Sequence, residues 1–226
     1  IPGDGCESNC RPLFPKDPQI KQETVKLGGR VMVKRKSSVA EMRRIDGPWE
    51  TVYDLIDSES IFGQAADAAK YSYLYSLREL AQRWTFYHEF RTDPDSPIRR
   101  PALPTFSRRL WEDGANLGPS LFTIANQGDR QRLVEILEAA FKGGSFNFGD
   151  TGPTMSVQGV FRPMGANELS DGTLKFLCLA AACFSTRPAP LIAFNEPETS
   201  LNPSALEPLA DLLANAAQGS QLWITT

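Results

Sequence analysis

Three short segments near the end of the chain carry residue types that handle phosphate and water. They are Leu169-Ser170-Asp171-Gly172-Thr173, then Leu191-Ile192-Ala193-Phe194-Asn195-Glu196-Pro197-Glu198, then Ser200-Leu201-Asn202-Pro203. Ser170 is a good N-cap, and a helix opening at Asp171 presents unpaired N–H groups and the positive end of its dipole. Such a start is an anion site, and Gly172, lacking a Cβ, lets backbone come close to a phosphate. Glu196 directly follows an apolar run, where a carboxylate can orient or activate the water that attacks a phosphoryl group. Asn195, just before it, has an amide oxygen that can accept a hydrogen bond but brings no charge. Each segment alone is a common pattern. Their order and spacing make coincidence a poor explanation.

The elements that must position these residues follow from periodicity. Residues 171–185 read as a helix, apolar nearly all round and therefore buried. Residues 191–194 form the short continuous apolar run of a central parallel strand. Pro203, after Asn202, opens a helix to 217; Gly219 closes it, and 221–226 read as another strand. Helix, strand, helix, strand is a doubly wound α/β pattern, whose ligands lie outside the carboxyl ends of the strands. The strand 191–194 delivers Asn195-Glu196 to that edge.

Farther upstream, 1–19 is a Pro-spaced irregular tail, and 25–33 and 49–56 read as short antiparallel strands. Residues 67–83 have helical spacing and 84–90 alternate like a strand, with His88 an ordinary edge or core residue. A Pro-rich loop is expected over 92–105, helices over 120–125 and 130–141, and two short strands over 145–161 around Gly152-Pro153. The resulting organisation is a tail and β-rich part (1–63), a mainly helical insertion (64–145) and a part bearing the three segments (146–226).

The bulk composition narrows the function classes. The 226 residues are 41% hydrophobic and 23% charged, ordinary for a globular chain able to bury a core. A net charge of −3 gives no support to a generic polyanion-binding surface, so DNA as a partner has no backing from charge. The local runs Lys34-Arg35-Lys36 and Arg99-Arg100 read as solvated turns or strand edges. No apolar run approaches the ~20 residues needed to span a bilayer, so a cytoplasmic protein with no membrane partner is expected. Cys178 and Cys183 lie in apolar sequence and read as reduced core residues; Cys6 and Cys10 form a C-x3-C short of a zinc ligand set. Both ends look cut, the last strand-like run having no exit.

Together the three segments resemble the ABC signature motif, the Walker B strand and the D-loop. The pattern E-L-S-D-G-T-L-K-F-L, then N-E-P-E-T-S-L-N-P and a strand ending Thr-Thr, is similar to predicted bacterial AAA-family ATPases of the SMC/RecF-like kind. The stretch 77–84, Trp84-x-Phe86-Tyr87 and Asp113-Gly114-x-Asn116-Leu117 also look like that family. The likeness is strong over 168–226, looser over about 71–120, and carries nothing diagnostic over 1–70.

The resemblance implies an α/β P-loop NTPase fold of ABC-ATPase type: a mixed sheet with helices on both faces, an antiparallel β subdomain and a helical insertion. It implies ATP with Mg²⁺ as ligands and an ATP-dependent homodimer. Glu196 would be catalytic and Asn195 would serve the metal. Ser170, Asp171, Gly172 and Thr173 would face the γ-phosphate held by the opposite subunit, while Ser200 and Asn202 would contact the partner across the dimer. Two departures stand out: Asn195 where the family usually has Asp, and Asp171 where the commoner signature has Gly. No G-x-x-x-x-G-K-[ST] segment occurs in the 226 residues. The expected function is an ATP-sandwich switch linked to DNA maintenance or phage defence. The alternatives are an ATP-driven dimerising module with little hydrolysis, or the ATPase half of an overcoming-lysogenization-defect-type nuclease.

Overall fold

A computed structural model describes residues 18–64 and 67–226. The tail's first seventeen residues, with Cys6 and Cys10, lie outside the described residues. The chain forms two compact units that divide between Gln82 and Arg83.

The first unit is a four-stranded antiparallel meander, β1 (Gln22–Leu27), β2 (Arg30–Lys36), β3 (Val39–Arg43) and β4 (Trp49–Val52), in sequential order. Gly28 and Gly29 both have positive φ, which the tight turn between β1 and β2 requires and which glycine adopts without a Cβ clash. Val33, Arg35, Ala40 and Met42 are buried at alternate positions of β2 and β3, whereas the adjacent Met32 departs from that alternation and is buried as well. The apolar ones form one core with Tyr73 and Leu74 of α2 (Ser72–Gln82), and α1 (Ile61–Gln64) adds Ile61. The basic run at 34–36 is not uniformly solvated. Arg35 is buried, its Nη2 donating to Ile56 O at 2.7 Å and its Nε to Ser37 O at 2.7 Å, so it braces the loop after β4. Its guanidinium replaces lost water with carbonyl partners, which is how a buried cation is tolerated.

In the second unit, β5 (Thr85–Tyr87) lies beside β9 (Leu191–Asn195), which lies beside β10 (Gln221–Thr225), all parallel. The antiparallel strands β6 (Gly144–Gly149), β7 (Gly152–Val157) and β8 (Met164–Gly165) form a separate sheet. The helices are α3 (Leu117–Gln127), α4 (Arg130–Ala140), α5 (Asp171–Cys183) and α6 (Leu206–Ala216). Helix α5 is the pivot of the core. Leu174, Phe176, Leu177, Cys178, Leu179 and Ala180 are all at most 1% exposed, so its near-uniform hydrophobicity reflects burial on every side. Tyr87 stacks on Phe194 with ring centroids 5.4 Å apart and ties β5 to β9.

The helix expected over 171–185 spans Asp171–Cys183, and the one expected from Pro203 begins as a 3-10 turn before α6. The short strands β3 and β8 had no clear sequence signal, because neither run is long enough to establish alternation. Among the described residues, no helix is long and apolar enough to cross a membrane.

Candidate functional site

All three strands of the parallel sheet end at one edge, and the residues leaving them gather there. The last residue of β9, Asn195, is paired in register with Thr225, whose Oγ1 donates to Asn195 Oδ1 at 2.8 Å. This hydroxyl orients the amide with its oxygen as acceptor. His88 follows β5 directly and, with Asn195, Thr225, Phe194 and Trp223, lines a cavity of about 260 Å³ at this edge. His88 is thus brought to the candidate site, although nothing in its sequence surroundings marks it.

Glu196 begins a tight turn. Its φ is +44°, a left-handed conformation that an L-residue with a Cβ adopts at a cost of order 1–3 kcal/mol. Surrounding bonds hold it there. The Glu196 N–H donates to Thr225 O at 2.8 Å, and Thr199 Oγ1 donates to Glu196 Oε2 at 3.2 Å. Lys175, on the second turn of α5, donates from Nζ to Glu196 O at 2.9 Å and to Thr199 O at 2.7 Å. Burial pushes the Lys175 ammonium below its ordinary pKa, while Glu198, Glu196 and Glu89 oppose that shift. The Glu196 carboxylate remains exposed, held at its root and open to a ligand.

The start of α5 is capped as expected: Ser170 Oγ accepts from Thr173 N at 3.2 Å and sits 2.8 Å from Thr173 Oγ1. Thr173 is buried, so its hydroxyl serves this cap. Gly172 is explained differently from the sequence reading. A Cβ there would lie 2.8 Å from the carbonyl oxygen of Ser200, so within this chain the missing side chain is occupied by the loop after β9. Ser200 has φ +67° and turns its carbonyl into that space. Asn202 caps the following 3-10 turn, its Oδ1 accepting from Ser204 N at 3.0 Å.

Asp171 has a partner that sequence spacing did not reveal. Arg99 Nη2 donates to Asp171 Oδ1 at 2.7 Å. The same guanidinium donates through Nη1 to Leu169 O at 2.8 Å and through Nε to Thr92 O at 2.8 Å, with longer bonds to Ala166 O and Asn167 O. Its side chain is 11% exposed. Arg99 is therefore no solvated turn residue; it clamps the loop entering α5 and offsets the carboxylate at the helix start. On the other side of that loop Glu168 is gripped by Arg162 through bonds of 2.6 and 2.7 Å. The hydrogen bonds from Arg162, then that from Gly165 N–H, hold the Glu168 carboxyl down at about 2.

The eight expected residues fall on two adjoining segments: Ser170, Asp171, Gly172 and Thr173 at the start of α5, and Asn195, Glu196, Ser200 and Asn202 from the end of β9 through the loop that follows. The two are joined by Lys175 and by the Gly172–Ser200 contact. Asn195 Oδ1 and the Glu196 carboxylate offer oxygen donors only, the set Mg²⁺ accepts when phosphates and water complete its shell. Among the described residues, no cluster of three or more His, Cys, Asp or Glu side chains could hold a metal alone.

No curated protein matches the sequence. Among solved structures, an SMC head bound to the C-terminal winged-helix domain of ScpA aligns at 13% identity and a TM-score of 0.41, covering 85% of this chain and 59% of that one. The SMC head domain from Thermotoga maritima aligns at 13% identity and a TM-score of 0.35, covering 89% and 61%. A dimeric ATP-binding cassette in a post-hydrolysis state with ADP and Pi aligns at 17% identity and a TM-score of 0.32, covering 90% and 84%. The chain thus spans about three fifths of each SMC head. The family profile described as "AAA domain, putative AbiEii toxin, Type IV TA system" matches residues 88–226, which includes the start of α5, β9 and the turn that follows. By that match over more than half its length, the chain belongs to this family of AAA-domain ATPases, with an α/β fold.

Proposed function

We propose that this chain supplies the signature helix and the water-positioning carboxylate of an ABC-type ATPase that closes as a dimer around ATP. The observation that carries the reading is the coupling of the α5 start to the Glu196 turn, through Lys175 and through the Ser200 carbonyl against Gly172. A γ-phosphate delivered by a partner copy would meet the free N–H groups at the start of α5, where the dipole favours an anion. A displacement there would be transmitted through Lys175 to the backbone of Glu196. Glu196 would orient the attacking water by hydrogen bonding, a role that relies on placement and charge. Bound Mg²⁺ would neutralise phosphate charge, with Asn195 Oδ1 and Glu196 as the residues beside it.

The test is Mg²⁺-dependent ATP hydrolysis by the full-length protein and its Glu196→Gln variant, with light scattering to follow pairing. Loss of about 10²–10⁴-fold in turnover, with ATP-dependent dimers persisting longer, is expected. Equal rates would sink the hydrolytic reading. A second reading, ATP-driven dimerisation with little turnover, is favoured by one observation: Asn195 is neutral and its oxygen is already engaged by Thr225. An Asn195→Asp variant with markedly raised turnover would support it.

The division into a β-rich part, a helical insertion over 64–145 and the remaining ATPase part belongs to the same proposal as a functional division; it cuts across the two compact units, and β5, within 64–145, is part of the parallel sheet. The process driven is proposed as DNA maintenance or phage defence, for which the toxin–antitoxin wording of the family description is the support. The alternative of an ATPase half joined to a nuclease is separated by assaying the full-length protein for Mg²⁺-dependent DNA cleavage.

A further inference from the structure

At the opposite edge of the parallel sheet, where β5 and β9 begin, lies a cavity of about 400 Å³. Its wall includes Arg83, Arg108, Arg109 and Arg187, with the aromatic rings of Phe106 and Trp111. No carboxylate lines it, and none of the four arginines forms a salt bridge among the described residues. Arg109 Nη1 makes long bonds to Arg83 O at 3.4 Å and Thr85 Oγ1 at 3.5 Å, neither of which carries charge, so the positive charges of four arginines lining one cavity repel one another unless an anion joins them. This concentration stands out on a chain whose net charge is −3.

The segment bearing Phe106, Arg108 and Trp111 has no helix or strand, yet its backbone is fixed on several sides. Ser107 N–H donates to Thr123 Oγ1 at 3.0 Å, and Ser185 Oγ to Arg108 O at 2.6 Å. Asn116 Nδ2 donates to Arg109 O at 2.9 Å, Tyr87 OH to Leu110 O at 3.0 Å, and Trp111 N–H to Asn116 Oδ1 at 2.8 Å. Buried Ser107 and Leu110 anchor the segment inward, leaving Phe106 54% and Trp111 60% exposed. The Arg108 guanidinium lies 5.2 Å from the Phe106 ring centre. A pinned backbone presenting flat rings and guanidinium groups is ordered in advance, which lowers the entropic penalty of binding.

We infer that this cavity binds a nucleotide unit, its phosphate among Arg108, Arg109 and Arg187 and its base stacked on Trp111 or Phe106, presented by a single strand or free. Guanidinium groups match phosphate geometry, and aromatic faces accept any base. The five-residue strand β9 separates this edge from Asn195 by on the order of 13 Å or more, so the site is distinct from that proposed for ATP hydrolysis.

The probe is a fluorescein-labelled twelve-residue oligothymidylate, titrated by anisotropy into the full-length protein without ATP or Mg²⁺. Binding that weakens with salt is expected. The Arg108→Ala/Arg187→Ala variant should flatten the log–log salt slope by about 1.4, two single-strand phosphate contacts, and Trp111→Ala should weaken binding by ~5- to ~150-fold. The Arg108→Lys/Arg187→Lys variant should keep most of the salt slope, and all three variants should retain wild-type Mg²⁺-ATPase. Competition by thymidine 5′-monophosphate as effective per mole as the oligomer assigns the site to a free nucleotide; much weaker competition assigns it to a strand. Absence of binding by both, binding unaffected by the alanine variants, or equal binding of a polyglutamate peptide would overturn the inference.

Discussion

The Arg99 guanidinium lies 2.7 Å from the Asp171 carboxylate, so the acidic residue at the opening of α5 is held by a cation from a loop 72 positions earlier. A carboxylate at the first turn suits the helix dipole but opposes a second anion at the same place. The ion pair reconciles the two. If the start of α5 receives phosphate, Arg99→Gln should weaken ATP-dependent pairing at least tenfold, and adding Asp171→Asn should recover most of the loss. Sedimentation with and without ATP measures both. A double variant as defective as the single would mean that Arg99 acts only through the carbonyls it clamps.

Gly172 and Ser200 define a second prediction. A methyl group at position 172 would sit 2.8 Å from the Ser200 carbonyl oxygen, and a backbone atom cannot swing aside as a flexible side chain can. Gly172→Ala should destabilise the second unit by about 1–3 kcal/mol, the usual range for overpacking, and displace the Glu196 turn. Urea unfolding gives the first quantity. An ATPase loss exceeding that of a similarly destabilised core variant away from both loops, such as Ile136→Val of α4, would reveal the second.

The Glu168–Arg162 pair carries a pH signature. Arg162 first, then the Gly165 N–H, favour the ionised form and hold the folded carboxyl down at about 2, below the ordinary value of 4.5. Stabilisation from a depressed acid is fully present above the unfolded value of 4.5 and disappears as pH falls through about 2. The stability difference between wild type and Glu168→Gln should therefore shrink across that window. It should also shrink in high salt, since the pair is solvent-facing. Denaturant melts at several pH values test this, and a difference independent of pH would contradict it.

Cys178 and Cys183 should be chemically silent in the native protein. Burial alone pushes the Cys183 thiol up to about 12 and Cys178 higher still. A thiol-specific chromogenic reagent should modify neither at pH 8 until the chain unfolds, and both promptly afterwards. Mass spectrometry of the native protein after brief exposure would assign any early label to its cysteine.

How much could be read from the residue string depended on whether the determinant was local. The α5 start, β9 and the turn after it were legible because N-capping by Ser170, the apolar run 191–194 and the Asn202-Pro203 signal each operate within a few residues. The α/β character followed from the same alternation. Arg99 and Lys175 were not legible. Their roles arise from carbonyl groups presented by distant loops, and an arginine clamping such carbonyls has the same local surroundings as one in water. The arginine cavity was hidden for the same reason: Arg83, Arg108 and Arg187 span more than a hundred positions and converge only at the sheet edge. The sequence alone thus determined which residues could do phosphate chemistry and the elements that carry them. Tertiary structure decided which charges meet, because electrostatic partnership depends on distance in space and on shared burial, neither of which separation along the chain encodes.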